Sequence, residues 1–354
     1  MDNSNIYSKI IYSNTPNVDL TEWIESYESG KVFIATEENV DRLWISDFNS
    51  IIETFAIPKV VIPSGETNKK LDSAIKIWEF LSQNGADRKS LLISIGGGML
   101  TDLAGFAAST FKRGIDFLNI PTTLLSQVDA SVGGKTGINF NGLKNEIGTF
   151  KEPVAVIIDT KFLSTLDHLN FLSGFAEMIK HGMIKNPDHL DELKNFDLSN
   201  INYNNLQSII QNSVHVKEYF VINDPTEKNI RKALNFGHTA GHAFESMALE
   251  QNRPVLHGFA VAWGMIVELF LSVMNCGLDE SICQNLTEWL LNIYGKFEIN
   301  SNDFQRLIRL MTHDKKNDSG RINFTLLSGP GRVKINQNCN EQLIIRALQN
   351  YNDL

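Results

Sequence analysis

Five short apolar runs punctuate the first 160 residues: Lys31–Thr36, Lys59–Pro63, Leu91–Ile95, Ile115–Ile120 and Val154–Asp159. Their hydrophobic positions are consecutive rather than alternate, as in strands covered on both faces. Between most of them lie amphipathic stretches with a helical period, such as Lys70 to Asn84. Strand and helix therefore alternate as in a doubly wound parallel sheet. From about Thr165 onward the pattern turns helical. The exception is Arg321–Leu327, then Gly329-Pro330-Gly331 and Val333–Ile335, which predicts a hairpin. The pattern predicts an α/β domain over residues 1–160 and a mostly α-helical domain over 161–354.

A chain of 354 residues with 42% hydrophobic content can fill two such cores. The most apolar segment, Gly258 to Met274, is interrupted by Glu268 and is shorter than the ~20 residues that span a bilayer, so it predicts a buried core helix. Met1–Asn5 lacks the basic start and apolar run of a secretory signal. With 41 acidic against 32 basic residues, the net charge of −9 makes neither nucleic acid nor an anionic membrane an expected partner. An anionic substrate would need a locally basic pocket. Cys276, Cys283 and Cys339 are odd in number and follow no zinc-knuckle or redox spacing, as expected of reduced thiols in the cytoplasm.

Chemistry enters at Asn235–His242, where His238 and His242 stand four residues apart and share a helix face. Leu256-His257-Gly258 offers another histidine, and Glu177 lies in the helical stretch Gly174–Lys180. Two histidines, one carboxylate and an open position suit a catalytic zinc. His181, one turn after Glu177, and His242 compete for the same role. Gly96-Gly97-Gly98 ends a strand and is followed by a predicted helix, Met99 to Ser109, carrying Asp102. Amides at such a helix start can face a pyrophosphate, although a plain tight turn would use the same glycines. Gly133-Gly134-Lys135-Thr136 ends like a P-loop, but the first glycine of that motif would fall at Asp129, which excludes it.

These segments, in the order Glu177, His238, His257, together with the long stretch Gln127–Gly137 and the Gly96–Asp102 pattern, resemble the 3-dehydroquinate synthases of the sugar phosphate cyclase superfamily. The glycine pattern is shared with iron-dependent alcohol dehydrogenases. The resemblance runs from about residue 30 to 335. It implies a Rossmann-like first domain that binds NAD, and Zn2+ or Co2+ held by Glu177, His238 and His257, with His242 left to the substrate. For NAD it implies Ser64, Gly65, Glu66 and Lys69, then Gly97, Gly98 and Asp102, then Thr122, Thr123, Lys135, Lys144, Phe162 and Thr165. Glu37 and Asn39 stand where the family often has Asp and Asn near the adenosine. For a phosphorylated sugar acid it implies Asp129, Lys135, Asn145, Lys180, Lys217, Arg231, Asn235 and His242, with Lys315 or Lys316.

Arg113 matches an arginine that the family lends across a dimer interface, which implies a homodimer, and Phe111 and Ile115 beside it predict an apolar contact surface. The implied reaction converts 3-deoxy-arabino-heptulosonate 7-phosphate to 3-dehydroquinate and phosphate in the shikimate pathway. Two positions depart from the family pattern: Phe259 replaces a common Glu, and Asp224-Pro225 replaces Asp-Glu. Competing readings are another cyclase of the 2-deoxy-scyllo-inosose synthase type, an NAD-dependent polyol dehydrogenase, and a catalytically silent NAD-binding regulator. The dehydrogenase would not need Gln127–Gly137 or the lysine set. Retention of Glu177, Lys180, Arg231, His238 and His257 together argues against the silent regulator.

Overall fold

The computed structural model describes residues 8–141, 143–312 and 322–354. The chain divides into two compact units, one of Met1–Asp167 with Asn200–Val214 and one of His168–Ser199 with His215–Leu354.

The first unit is built on a six-stranded sheet. Its strands are β1 (Lys9–Tyr12), β2 (Val32–Glu37), β3 (Lys59–Ile62), β4 (Leu91–Gly96), β5 (Asp116–Pro121) and, after a separate hairpin of β6 (Lys135–Phe140) and β7 (Leu143–Phe150), β8 (Ala155–Ile158). The order is β1-β8-β5-β4-β2-β3, and every neighbouring pair is parallel. Side chains alternate between two apolar layers, as the period of two requires. Phe33, Ala35 and Leu92 enter one, packed under the Gly98–Thr110 helix through Leu100, Leu103, Ala104 and Ala107. Ile34, Leu91, Ile93 and Ile95 enter the other. Both faces are therefore covered, which explains the consecutive apolar positions.

Two features go beyond the expected elements. β1 is a half-exposed edge strand whose only consecutive aliphatic pair is Ile10-Ile11. The β6–β7 pair is an antiparallel hairpin that leaves Phe140, Leu143, Ile147 and Phe150 exposed by 42, 57, 38 and 59%. The expected apolar surface beside Arg113 is corrected. Ile115 is 1% exposed and Phe111 packs against the same core, so their apolar area is already used internally.

The second unit is helical. Its longer helices include His168–Ile184, His238–Glu250 and His257–Cys276. The last is long and apolar enough to cross a membrane by composition, yet 67% of its most apolar stretch is buried inside the protein, as expected of a core helix. The predicted hairpin is present as β9 (Asn323–Leu327) and β10 (Val333–Asn338), antiparallel.

Candidate metal centre and cofactor-binding residues

Helix crossings in the second unit bring the metal candidates together. A Cβ on Gly264 would stand 2.0 Å from the Gly237 carbonyl oxygen, and one on Gly258 would stand 1.9 Å from that of Ser173. Only glycine permits these approaches. The first lays the His238–Glu250 helix on His257–Cys276. The second lays the start of the latter, with His257, on the helix that carries Glu177, where the Gly258 amide also donates to Ser173 Oγ at 3.0 Å.

The result is a cluster. Glu177 Oε1 lies 3.5 Å from His238 Nε2 and 3.5 Å from His257 Nε2. Nitrogen and oxygen ligands at ~2.0–2.2 Å from a tetrahedral ion stand ~3.3–3.6 Å apart, so these spacings suit a metal. His242 joins the group: donor atoms of His238, His242 and His257 all lie within 4.8 Å of one another. Glu177 is fully buried, and among the described residues neither of its oxygens has a hydrogen bond of good geometry. Oε2 is paired with Lys180, and the acceptor capacity left over suits a metal ligand.

Electrostatics match. Burial pushes the Glu177 carboxyl up, but Lys180, His257 and His181 outweigh it and hold it well below the ordinary carboxylate range. Burial pushes His257 down, and hydrogen bonding to Glu177 and Glu245 overrides this, raising it to about 10. The imidazoles are oriented from behind: His238 Nδ1 faces the Phe236 carbonyl at 3.2 Å, and His257 Nδ1 faces Glu245 Oε2 at 3.5 Å. Each contact directs Nε2 toward Glu177. Glu245 and Glu268 were not singled out as site residues from sequence. Their signal was an acid inside an otherwise apolar helical face.

Lys180 pairs with Glu177 one turn away, and Lys180, Lys217 and Arg231 are all buried. Arg231 is held by the preceding loop. Asp224 accepts from the amides of Asn229 at 2.6 Å, Lys228 at 3.0 Å and Arg231 at 3.1 Å, while Arg231 Nη1 donates to the Pro225 carbonyl at 2.8 Å. The contact at Pro225 is to the backbone, so proline at this departure leaves it intact. Asn235 Nδ2 donates to Glu227 Oε1 at 2.7 Å, a third acid not evident from sequence. Phe259, the other departure, packs edge-on against Tyr294 with ring centroids 5.2 Å apart, and Tyr294 donates to the Leu172 carbonyl at 3.0 Å. Lys315 and Lys316 lie outside the described residues.

The first unit holds the NAD candidates. Gly97 caps the Gly98–Thr110 helix, and its amide donates to Glu37 Oε1 at 3.0 Å, so an anionic group already faces this helix start. The Thr122 amide donates to the Gly96 carbonyl, and the Thr123 side chain would lie 3.0 Å from a Cβ on Gly97. Lys69 Nζ bridges Asp102 Oδ2 and Asn145 Oδ1, each at 2.5 Å. Glu66 accepts from Asn139, and Ser64 Oγ accepts from the Asn39 amide. Gly65 takes φ +99 in the same loop. Lys135 opens β6, Lys144 lies on β7, and Asp129 lies in the short π-helix Ser126–Ala130. The Phe162 ring is buried, stacked on Phe48 and edge-on to Trp44, while Thr165 accepts from Trp44 Nε1 at 2.9 Å. Arg113 sits exposed at φ +71 after the glycine-loop helix.

Residues 59–173 match the family model "3-dehydroquinate synthase N-terminal" and residues 174–317 match "3-dehydroquinate synthase C-terminal". The chain belongs to the 3-dehydroquinate synthase family. The 3-dehydroquinate synthase of Parabacteroides distasonis is 46% identical over 98% of both chains. Two solved structures share the fold. A 2-epi-5-epi-valiolone synthase from Streptomyces hygroscopicus with NAD+ and Zn2+ bound has a TM-score of 0.86 at 21% identity, covering 100% of this chain and 99% of that one. A 2-deoxy-scyllo-inosose synthase complexed with carbaglucose-6-phosphate, NAD+ and Co2+ has a TM-score of 0.85 at 23% identity, covering 96% of each chain.

Proposed function

We propose that the chain converts 3-deoxy-arabino-heptulosonate 7-phosphate to 3-dehydroquinate and phosphate in the cytoplasm, using NAD and a zinc or cobalt ion. The observation that carries this reading is a near-full-length match to this family in a chain that also gathers Glu177, His238 and His257 at ligand spacing. Glu177, His238 and His257 would hold the metal. Gly97, Gly98, Asp102, Thr122, Thr123 and the Ser64–Lys69 loop, with Lys135, Lys144, Phe162 and Thr165, would hold NAD. When bound, NAD would supply a reversible hydride acceptor and the metal a Lewis acid for substrate oxygens.

The chain's own groups do the rest. Lys180, Lys217 and Arg231 would bind the anionic substrate and oppose charge that develops on its oxygens. Lys135, Asn145 and His242 would bind the phosphate, and Asp129, Asn235 and Lys315 or Lys316 would be further substrate-binding groups. Asp129 and His242 can carry protons. We further propose a homodimer in which Arg113 enters the partner's site. The exposed apolar side chains of the β6–β7 hairpin and the exposure of Arg113 support a covered face in that unit.

Incubation with the heptulosonate phosphate, NAD and Zn2+ tests the reading by following phosphate, the carbocyclic product and NADH. Phosphate and product should form without NADH accumulating. Stoichiometric NADH would indicate a dehydrogenase. Phosphate release only from a hexose phosphate would assign the chain to another cyclase reaction.

A further inference from the structure

The helix that carries His238 and His242 begins without a capping side chain of its own. Its N-cap, Gly237, sits at φ +80, where a Cβ would meet Met265 Cγ at 2.5 Å and the Val261 carbonyl oxygen at 2.9 Å. Serine, threonine and aspartate, the usual caps, are therefore excluded by space and by backbone angle. The cap comes from elsewhere. Glu268, fully buried, accepts from the Gly237 amide through Oε2 at 2.6 Å and from the Ala240 amide through Oε1 at 3.1 Å. One carboxylate thus satisfies the N-cap and N3 amides that a capping box would satisfy from within the helix.

Glu268 belongs to the helix that opens with His257. Its two charge-assisted hydrogen bonds therefore fasten the His238 and His242 helix to the His257 helix. Charge adds a second effect. A helix N-terminus carries roughly half a positive charge, and here it lies one residue from a metal candidate. That field disfavours a dication. A carboxylate on the same amides offsets it.

We propose that Glu268 is a positioning residue for the metal, setting both the spacing of the histidine helices and the potential at their meeting point. The inference rests on the reading of Glu177, His238 and His257 as metal ligands. Glu268→Gln keeps the shape, removes the charge and turns an amide N–H₂ toward one of the two backbone donors.

The test uses full-length wild type and Glu268→Gln, stripped of metal. Zn2+ affinity is measured by competition with a chromophoric chelator, the Co2+ visible spectrum is recorded, and NAD affinity is measured separately. Zn2+ affinity should fall about 10–100-fold, the range for groups that orient metal ligands. The Co2+ bands should shift, and NAD affinity should hold. Glu268→Asp, which keeps the charge with a shorter reach, should recover part of the Zn2+ affinity, and it serves alone if Glu268→Gln does not fold. Wild-type Zn2+ affinity and an unchanged Co2+ spectrum in a folded variant would overturn the proposal, even if its melting temperature fell. If wild type binds neither ion, the ligand reading itself fails and this inference goes with it.

Discussion

Replacing Gly264 by Ala should dismantle the metal centre without touching a ligand. The added Cβ would lie 2.0 Å from the Gly237 carbonyl oxygen and 2.5 Å from the Gly241 amide nitrogen, both backbone atoms that cannot rotate aside. Close Cα–H···O contacts bring carbon and oxygen no nearer than ~3.3 Å, so the helices must separate by roughly 1 Å. Metal sites tolerate ligand distances only within about 0.2 Å, so His238 and His257 could no longer serve one ion together. Overpacking of this kind costs about 1–3 kcal/mol, or about 2–12 °C in melting temperature for a domain of ~150–250 residues. Gly277→Ala is the control. It strains a residue at φ +71 with nothing within 4 Å of the new Cβ, at about 1–2 kcal/mol, and should leave metal binding intact. Scanning fluorimetry and zinc content after dialysis report both quantities. If Gly264→Ala keeps wild-type zinc content, the helix crossing does not set the ligand spacing.

Three further outcomes are expected. Chelation should abolish activity and Zn2+ or Co2+ restore it, while His257→Ala should lose the metal; full zinc content in that variant would remove His257 from the ligand set. Arg113→Ala and Lys180→Ala homodimers should each be nearly inactive, but verified mixed dimers should regain activity, because one pocket carries both lesions and the other neither; no recovery would place Arg113 in its own subunit's site. Asp224→Asn should destabilise the fold by about 1–3 kcal/mol at neutral pH by leaving amide donors short of an acceptor. Burial raises the Asp224 carboxyl, yet its amide hydrogen bonds and Arg231 leave it lowered overall, so its contribution exists above the unfolded value of ~3.9 and is lost as pH falls through the folded value. Denaturation of the two proteins should therefore converge in acid, and a pH-independent gap would contradict the assignment.

How much of this was legible depended on the physics each residue expresses. Buried parallel strands announce themselves through apolar runs, so β2 to β5 and β8 were readable, whereas β1 is half-exposed and offers only the pair Ile10-Ile11. The β6–β7 hairpin has a signal, the dipeptide Asn141-Gly142 between two runs, but Gly133–Thr136 beside it has the composition of a phosphate loop. Spacing within one helix pairs His238 with His242, but nothing local relates either to Glu177 or His257. Those relations came from family resemblance, and their physical basis is the tertiary approach at Gly258 and Gly264. Glu227, Glu245 and Glu268 stayed hidden for a similar reason. An acid that orients another side chain has no motif of its own, and its meaning depends on which amide or imidazole the fold brings to it.

Three buried acids of the metal half, Glu177, Glu245 and Glu268, show how one cluster keeps several carboxylates. Glu268 is answered by two amides, Glu177 by Lys180, and Glu245 faces His257. His257 lies between two of these carboxylates, which is why its imidazole holds a proton up to about pH 10. A metal ligand must give that nitrogen up unprotonated, so proton and metal compete for the same site. Binding should then release a proton, and apparent metal affinity should rise with pH across the neutral range. The same carboxylates that make the proton hard to remove also favour the dication that replaces it. Removing Glu245 would weaken both competitors, so its effect on metal affinity should be smaller at neutral pH than at high pH, where no proton competes and only the attraction for the metal is weakened.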